Sequence, residues 1–579
     1  MSDFIISKNG TICSICIAEG APDTAITAAG ELVRVFAAQC GKTADIYCGE
    51  PKTGDICLGA KSADCESDEL RIEVQNEILW IDGGKRGIIY GAYELLEQLG
   101  CRFFAEDCEV LPKADELTVP ADLKVSQKPV FEYRCSSWRG VNAKTAPKMR
   151  INACNLEPIP ESWGGGLDYQ GFVHTLGDLS EMEKINGEYT DRQPCLTDEK
   201  VFQNVVKNLR KKMQEKPNAA IASVSQNDSH EWGRGCTCEK CKALDDAEGT
   251  PMGSLLPFVN RVAEEMESEY PNLAIDTLAY RYTRKAPATL KSRHNVIVRL
   301  CSIECCFSHP IAECNASTDK VEDGSFADCL REWANHCNRI YIWDYTTNFQ
   351  SYHNCFPNFN VLRQNVRFFA ENNVRGVFEQ GDQQTINGEF GPLRTYLLTK
   401  LLWDPYMSEE TYQNHINEFM AGYYGAGWKN IRRFFDRLHA AAKDVHFGIY
   451  FKDPTVYFVD PEIEGTHEEK AVSFLQKGRA DFAAARMAAD TKQTEHINRA
   501  EIQLDLYEWY VVNAKLQALA AEDPAKKEVE NELRNIGANL YAHVITYGIY
   551  TMFEYWKTPE LIKKVPDFLT EPAEWGFVK

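Results

Sequence analysis

The fold is decided at Val296–Glu304, where the chain reads VIVRLCSIE. This short run is apolar at most positions and ends in a carboxylate, as expected for a strand that is buried on both faces of a parallel sheet. Similar runs recur along the chain, most of them separated by helix-like stretches. The predicted strands are Phe131–Arg139, Met149–Leu156, Gly171–Leu176, Ala219–Asp228, Ala274–Thr283, Val296–Glu304, Arg339–Asn348 and Val374–Gly381. Eight such strands predict an α/β fold of the (β/α)₈ type, a TIM barrel.

The segments on either side of these runs have different patterns. Residues 1–125 alternate short β-like runs with helical patterns at Thr24–Gln39 and Gly87–Leu99, which is typical of a small α/β domain. Beyond Leu401 the strand-like runs stop, and long stretches rich in Ala, Leu, Glu and Lys indicate helices. We therefore predict three domains: a small N-terminal α/β domain at 1–125, the barrel at 126–405 and a C-terminal helical domain at 406–579.

The composition narrows the possible partners and the cellular location. The formal net charge of −22 would repel both a nucleic-acid backbone and an anionic membrane surface, so we expect neither as a partner. The sequence has no apolar run of about 18 residues and no recognisable export signal at its start. Its 21 cysteines are odd in number and many lie inside apolar runs, which favours reduced thiols. These features predict a cytoplasmic protein, and a homo-oligomer is left open.

Carboxylates stand at the ends of four predicted strands, at Asp228, Glu304, Asp344 and Glu379. In a (β/α)₈ barrel the catalytic side chains project from the carboxyl ends of the strands. Glycoside hydrolysis uses one carboxyl to protonate the leaving oxygen and another as base or nucleophile, so several acids around one mouth suit it. We predict Glu304, Glu379 and Asp228 as catalytic residues. For each one alone, the alternative is a helix cap or an ion pair with arginine.

The pair Asn227 and Asp228 also fits a variant of this chemistry. In an acetamido sugar the substrate's own carbonyl attacks the anomeric carbon, and the enzyme supplies a residue that orients the acetamide and a neighbouring acid. Other aromatic and polar side chains at strand ends are expected to bind the sugar, or else to serve in packing and ion pairs. The predicted substrate-binding residues are Asn227, Trp138, Arg139, His174, Tyr280, Arg281, Arg299, Trp343, Asp344 and Tyr345, with Trp163, Trp232 and Tyr282 as further aromatic candidates.

Three closely spaced thiols follow the fourth predicted strand, at Cys236, Cys238 and Cys241. Their spacing is one that zinc sites use, and His230 is a possible fourth ligand. Free thiols or a disulfide are the alternatives. Because glycosidic cleavage needs no metal, we expect no cofactor for catalysis, and a zinc ion at this loop is predicted to be structural.

Several motifs occur in the same order as in a known family. They are Ser225–Asp228, the loop of Cys236, Cys238 and Cys241, Leu278–Thr283, Cys301–Cys306, Ile342–Tyr345 and Phe378–Gly381. On these motifs, from Phe131 to Trp403, the chain resembles the bacterial "domain of unknown function 4838" proteins, which include glycoside hydrolase family 163, endo-β-N-acetylglucosaminidases acting on complex N-glycans. The preceding segment, with Arg86–Gly91 and Gly100–Phe104, is similar to the small α/β domain that precedes the barrel in α-glucuronidases and β-hexosaminidases.

The resemblance implies a glycosidase that cleaves β-linked N-acetylglucosamine in oligosaccharides derived from N-glycans. The family enzymes are exported, whereas this chain shows no export signal and many thiols, so a small imported oligosaccharide is the expected partner. Two alternatives remain open. One is an α-glucuronidase-like hydrolase, which would need a basic residue facing the substrate carboxylate. The other is a barrel that binds carbohydrate without cleaving it.

Overall fold

The computed structural model describes residues 3–187, 189, 192–228, 235–317, 324–384 and 388–549. The elements are numbered in chain order. Those of the N-terminal part are β1 (Phe4–Lys8), β2 (Thr11–Ile12), β3 (Ile15–Ile17), α1 (Thr24–Cys40), β4 (Ile46–Cys48), β5 (Ile56–Leu58), β6 (Leu70–Gln75), β7 (Ile78–Gly83), α2 (Gly87–Gln98), β8 (Arg102–Ala105), β9 (Cys108–Val110), β10 (Leu117–Val119) and β11 (Lys124–Gln127).

The N-terminal strands form a mixed sheet in the order β11-β6-β7-β5-β3-β4, and β1 pairs with β2 and β10 in a smaller antiparallel sheet. Helices α1 and α2 pack on the larger sheet with their apolar sides. Leu32 and Phe36 of α1 are fully buried in the same cluster as Ile56, Ile81 and Leu95. The alternation of short buried strands with two amphipathic helices therefore produces an α/β layer that has its own hydrophobic core.

The central elements are β12 (Tyr133–Ser136), β13 (Tyr169–Gln170), α3 (Leu176–Leu179), α4 (Glu199–Glu215), β14 (Ile221–Ser223), α5 (Glu239–Glu248), α6 (Met252–Glu267), β15 (Ala274–Ala279), β16 (Val296–Cys301), α7 (Phe326–Trp333), β17 (Ile340–Tyr345), α8 (Phe359–Glu371), β18 (Val374–Gln380) and α9 (Gly391–Trp403). The strands form one curled sheet in the order β12-β18-β17-β16-β15-β14-β13. All of its pairs are parallel.

The structure confirms the α/β character and the parallel sheet, but it differs from the predicted barrel at the second and third strands. Met149–Leu156 forms only an isolated parallel bridge, between Ala153 and Cys135. The third strand, β13, lies ahead of the predicted Gly171–Leu176, which runs through a turn into α3. The stretch from Asn155 to Gly166 contains two prolines and three glycines, and these residues interrupt strand pairing because they lack a donor or favour turns. Among the described residues, the central sheet thus has seven strands.

The two faces of the central sheet pack against different partners. Tyr133, Ile221, Ile297, Tyr341 and Phe378 share one small cluster on the concave face. The residues between them along each strand belong to the larger cluster that includes the surrounding helices; examples are Val298, Leu300, Ile342 and Val377. Because side chains alternate along a strand, the register assigns every residue of the sheet to one face or the other.

The C-terminal part is helical, as predicted from its composition. Its helices are α10 (Glu409–Tyr424), α11 (Trp428–Ala442), α12 (His467–Arg486), α13 (Thr491–Ala518) and α14 (Lys526–Thr546). Capping side chains fix several starts: Thr466 and Glu469 form a capping box at α12, as Asp490 and Gln493 do at α13, which satisfies backbone donors that a helix start leaves free. Within the described ranges, none of the helices is long and apolar enough to cross a membrane.

Candidate active site

A cavity of about 330 Å³ opens at the carboxyl ends of the central strands. Residues that end β12, β15, β16, β17 and β18, together with the loops after β13 and β14, line it. Its aromatic lining residues are Phe172, Tyr280, Trp343, Tyr345, Phe378 and Tyr450, and its polar ones are Ser137, Asn155, His174, Asp228, Arg281, Gln380 and Gln383. This is the position at which (β/α)₈ enzymes carry their active sites.

Among the described residues that line the cavity, Asp228 is the only one with a carboxylate side chain. Its Oδ1 accepts a hydrogen bond from the Tyr280 hydroxyl at 3.4 Å and lies 3.8 Å from Nε2 of His174. Nε of Arg281 donates to the same Tyr280 hydroxyl at 2.8 Å. The Asp228 side chain is 47% exposed, so its carboxylate is held by neighbouring groups and can still reach a ligand. The structure thus brings Asp228, His174, Tyr280 and Arg281 together, and the roles predicted for them stay predictions.

The backbones of His174 and Arg281 are both left-handed, each with φ at 53°. Residues other than glycine rarely adopt this conformation, and such strained positions cluster at active sites. Nδ1 of His174 lies 2.8 Å from the carbonyl oxygen of Gln226, to which it donates, and this contact directs Nε2 towards Asp228. Burial lowers the pKa of His174, so the imidazole is neutral at neutral pH and its Nε2 is a hydrogen-bond acceptor.

Aromatic rings at the end of β17 form a wall of the cavity. The rings of Trp343 and Tyr345 lie nearly parallel, with centroids 6.3 Å apart and an interplanar angle of 23°. Nε1 of Trp343 donates to Oε1 of Gln380 at 2.7 Å. Tyr450 joins the wall from the C-terminal part. It was not predicted as a site residue, because it follows no strand. Flat aromatic surfaces of this kind bind the apolar faces of sugar rings.

Arg299, predicted to bind substrate, lies beneath the cavity rather than in its lining. It is fully buried with Asp276, to whose Oδ1 its Nη2 donates at 2.7 Å. The guanidinium is 4.4 Å from the ring centroid of Phe172 and 5.1 Å from that of Trp343. Burial raises the pKa of Asp276 to about 6, against the lowering effect of Arg299. The ion pair of Arg299 and Asp276 therefore supports the rings of Phe172 and Trp343 from beneath the cavity.

Asp344 and Glu379 lie on the other face of the sheet. They are opposite each other in the register of β17 and β18, one residue beyond Trp343 and Phe378, which face the cavity. Asp344 accepts a hydrogen bond from the Ser302 hydroxyl. Among the described residues, the fully buried Glu379 carboxyl has no hydrogen-bond partner. Burial, followed by the charge of Asp344, raises the pKa of Glu379 well above its usual range.

Burial likewise raises the pKa of Asp344, to about 6. Neither carboxyl lines the cavity. The catalytic role predicted for Glu379 and the binding role predicted for Asp344 stay predictions, and the geometry favours a structural place for both.

Glu304 and Asn227 are also held away from the cavity lining. Glu304 is 2% exposed and forms an ion pair with the equally buried Arg284. Asn227 is buried, with Oδ1 accepting from the Gly177 N–H at 2.8 Å and Nδ2 donating to the Arg192 carbonyl at 2.9 Å. These contacts use both ends of the Asn227 amide, which holds the loop after β14 in place. The roles predicted for Glu304 and Asn227 remain predictions.

Trp138 is buried rather than open to the cavity. Nε1 of Trp138 donates to Oγ1 of Thr346 at 2.8 Å, and its ring packs so closely on Gly381 that a Cβ there would lie 2.2 Å away. Arg139 is exposed at the start of the following loop. Trp138 and Arg139 are not among the lining residues of the cavity. The aromatic candidates Trp163 and Tyr282 are not among them either. Two further predictions, His230 and Trp232, lie outside the described residues.

A fourth thiol lies beside the three of the cysteine loop, and the spacing of the loop cysteines in the sequence could not reveal it. Cys195, from the segment before α4, joins Cys236, Cys238 and Cys241, and all four sulfurs lie within 4.8 Å of one another. Sγ of Cys195 is 3.7 Å from that of Cys238 and 3.8 Å from that of Cys241. All 21 cysteines of the chain lie in described residues and none is in a disulfide. The only sequence signal for Cys195 is its residue type, since 40 residues separate it from the loop.

A family comparison matches the central part of the chain. The model described as "Domain of unknown function (DUF4838)" matches residues 103–436, more than half of the 579 residues. No curated protein matches the sequence at a significant level.

Among solved structures, the chain is similar to a family GH115 4-O-methyl-α-glucuronidase with specificity for decorated arabinogalactans, at 12% identity and a TM-score of 0.61, covering 93% of this chain and 77% of that one. It is also similar to a GH89 protein from Clostridium perfringens, at 10% identity and a TM-score of 0.52, covering 89% and 65%. At such identities the likeness concerns the fold alone.

Proposed function

The chain belongs to the DUF4838 family, and we propose that it is a glycoside hydrolase that cleaves β-linked N-acetylglucosamine from small oligosaccharides. One observation carries the proposal: a half-exposed carboxylate, Asp228, and an aromatic wall line the same cavity at the carboxyl ends of parallel strands. A cavity of about 330 Å³ accommodates one or two sugar units. The aromatic wall supplies the stacking surface and the carboxylate supplies the acid.

In this proposal Asp228 is the general acid. It donates its proton to the glycosidic oxygen as the bond from that oxygen to the anomeric carbon breaks. The acetamide carbonyl of the substrate attacks the anomeric carbon, so a single enzymic carboxylate is enough for the first step. The Asp228 carboxylate then takes a proton from the water that opens the cyclic intermediate. Tyr280 and His174, which contact Oδ1 of Asp228, orient the carboxyl.

A uronic acid substrate is the second candidate, and Arg281 is the observation that favours it. This guanidinium lines the cavity and would pair with a substrate carboxylate. The GH115 protein with a similar structure is an α-glucuronidase, which is in line with a uronate substrate. Against it, Nε of Arg281 already donates to the Tyr280 hydroxyl at 2.8 Å, so this guanidinium also serves to hold the tyrosine in place.

The test compares three chromogenic substrates: a β-N-acetylglucosaminide, a β-glucoside without the acetamide, and an α-glucuronide. We expect turnover of the first alone, because only its acetamide can attack the anomeric carbon. Turnover of the α-glucuronide alone would transfer the proposal to the second candidate. Equal turnover of the two β-glycosides would contradict the role of the acetamide, and binding without turnover of any substrate would leave a carbohydrate-binding protein.

We also propose that Cys195, Cys236, Cys238 and Cys241 hold a structural zinc ion. Four thiolates at about 2.3 Å from zinc in a tetrahedron are about 3.8 Å apart, close to the distances from Cys195 to Cys238 and Cys241. Removal of the metal with a chelator should lower the melting temperature. Complete loss of turnover with the melting temperature unchanged would instead indicate a catalytic metal.

A further inference from the structure

A second group of metal-binding side chains lies apart from the four-cysteine cluster. Cys306, His309, Cys314 and His446 each offer one ligand atom, and these four atoms lie within 4.8 Å of one another. Three of the residues come from the segment after β16 and the fourth from the loop after α11. Sequence spacing does not predict this group, because His446 is more than 130 residues away from the other three along the chain.

We propose that these four residues form a second zinc site, of the Cys₂His₂ type. With Zn–S about 2.3 Å and Zn–N about 2.0 Å, the S to N edge of a tetrahedral site is about 3.5 Å. Sγ of Cys306 lies 3.4 Å from Nδ1 of His309 and 3.3 Å from Nδ1 of His446. Sγ of Cys314 lies 3.7 Å from the same nitrogen of His446. All three distances are close to that edge.

The surroundings prepare His309 to be a ligand. Its Nε2 lies 2.8 Å from the carbonyl oxygen of Lys443, to which it donates. A histidine that donates through one ring nitrogen has its lone pair on the other, and metal-binding histidines are usually oriented in this way. Nδ1 therefore carries the lone pair, and it faces Sγ of Cys306 at 3.4 Å, with the Ser308 hydroxyl also near it at 3.1 Å. The rings of His309 and His446 lie close, with centroids 4.5 Å apart, as two ligands of one ion would.

The site connects two parts of the fold that meet at the cavity. The Phe307 N–H donates to the Phe447 carbonyl at 2.9 Å, and the Phe349 N–H donates to the Ile449 carbonyl at 2.8 Å. Tyr450, the next residue, lines the cavity. A metal bound by Cys306 and His446 thus fastens the segment of Tyr450 to the loop that follows β16. Its role is to hold one part of the cavity wall, without contact with the substrate.

Metal content of the full chain tests the proposal directly. We expect two zinc ions per chain by elemental analysis. The double variant Cys306→Ser, Cys314→Ser should retain one of them, and the double variant Cys195→Ser, Cys238→Ser should retain the other. Cys48→Ser, which removes an exposed thiol outside both clusters, is the control and should keep both. If the Cys195→Ser, Cys238→Ser protein binds no zinc, the Cys₂His₂ site does not exist.

Cobalt substitution separates the two sites by their ligands. In the Cys195→Ser, Cys238→Ser background, bound cobalt should show tetrahedral absorption with about half the thiolate charge-transfer intensity of a four-thiolate site. Loss of that absorption in His446→Ala, with no loss in His294→Ala, would assign the histidine ligand. A Cys306 to Cys314 disulfide, seen as a mass lower by two hydrogens in the purified protein, would overturn the proposal.

Hydrogen exchange provides a readout that does not depend on activity. Chelation should raise amide exchange at 305–317 and 443–451, and added zinc should reverse it. Unchanged exchange in both segments after the metal has been removed would contradict the fastening role. Because neither the metal count nor the exchange requires turnover, the result stands whether or not the chain is a glycosidase.

Discussion

The two faces of β17 and β18 carry opposite chemistry at the same height in the sheet. On the concave face, Trp343, Tyr345 and Gln380 line the cavity. One residue along each strand, Asp344 and Glu379 point to the helical layer and are buried without contact with the cavity. A residue at the carboxyl end of a strand therefore lies at the height of the cavity along the sheet, on one face or the other. The parity of the residue along the strand decides whether its side chain reaches the substrate.

The comparison extends to the carboxylates themselves. Asp228 follows a loop rather than a strand, is half exposed and is contacted by Tyr280 and His174. Glu304 and Glu379 directly follow apolar runs and are buried, one with Arg284 and the other beside Asp344. A carboxyl that does acid and base chemistry needs access to the substrate, so we expect the three to respond differently to the same substitution, acid to amide.

The largest expected effect is that of Asp228→Asn. Loss of the proton donor should lower kcat by about 100-fold or more for an N-acetylglucosaminide, while the melting temperature changes little because the side chain is half exposed. The loss should be greater for a sugar leaving group than for nitrophenolate, which needs less protonation. Steady-state kinetics with both substrates checks this. Equal losses for the two leaving groups would remove Asp228 from the role of general acid.

Glu304→Gln should act on stability. The substitution leaves the buried Arg284 guanidinium without its counter-charge, and breaking a buried pair costs about 3 kcal/mol. Urea unfolding monitored by fluorescence measures this. The double variant Arg284→Met, Glu304→Leu should recover most of the loss, since a buried ion pair can be replaced by apolar groups. A fully stable Glu304→Gln protein with turnover lowered as in Asp228→Asn would return Glu304 to the catalytic site.

Glu379→Gln should instead stabilise the fold at neutral pH, because the amide carries no charge that burial penalises. The Glu379 carboxyl has a folded-state pKa raised well above 4.5, so the folded chain binds a proton that the unfolded chain has lost. Its contribution to stability is full below pH 4.5 and is lost as pH rises towards the folded pKa. The gain in melting temperature should therefore be larger at pH 7 than at pH 5. A variant that is equally stable at both values but has lost turnover would contradict this reading.

The sequence predicted the α/β class, the parallel strands and the helical C-terminal part because those features depend on local pattern. Runs such as Val296–Glu304 are long enough to identify their element. It did not predict that Met149–Leu156 forms only a bridge at Ala153. An apolar run marks a candidate strand, but whether it pairs depends on the prolines and glycines that follow and on its neighbours in the sheet.

For the site, the sequence brought together Asp228, His174, Tyr280 and Arg281 because each lies in a segment after a strand. It could not predict that Trp343 faces the cavity and Asp344 faces away from it. That requires knowing which of the alternating residues of β17 point to the concave face, that is, the phase of the alternation. It could not find Cys195 or Tyr450 either, because both reach their partners through long-range contacts. The register of Trp343 with Phe378 is the information that fixes the phase, and only the paired sheet contains it.

The smallest expected effect is that of Trp343→Phe, which tests the concave face alone. The ring stays apolar, but it becomes smaller and loses the Nε1 donor to Gln380. We expect KM for an N-acetylglucosaminide to rise a few-fold, the usual scale for losing part of a stacking contact, with kcat nearly unchanged because binding is weakened before and during the reaction alike. Trp163→Phe is the matched control, since Trp163 does not line the cavity, and its KM should equal that of the wild type. If both variants behave alike, Trp343 is a packing residue and the sugar binds elsewhere on the wall.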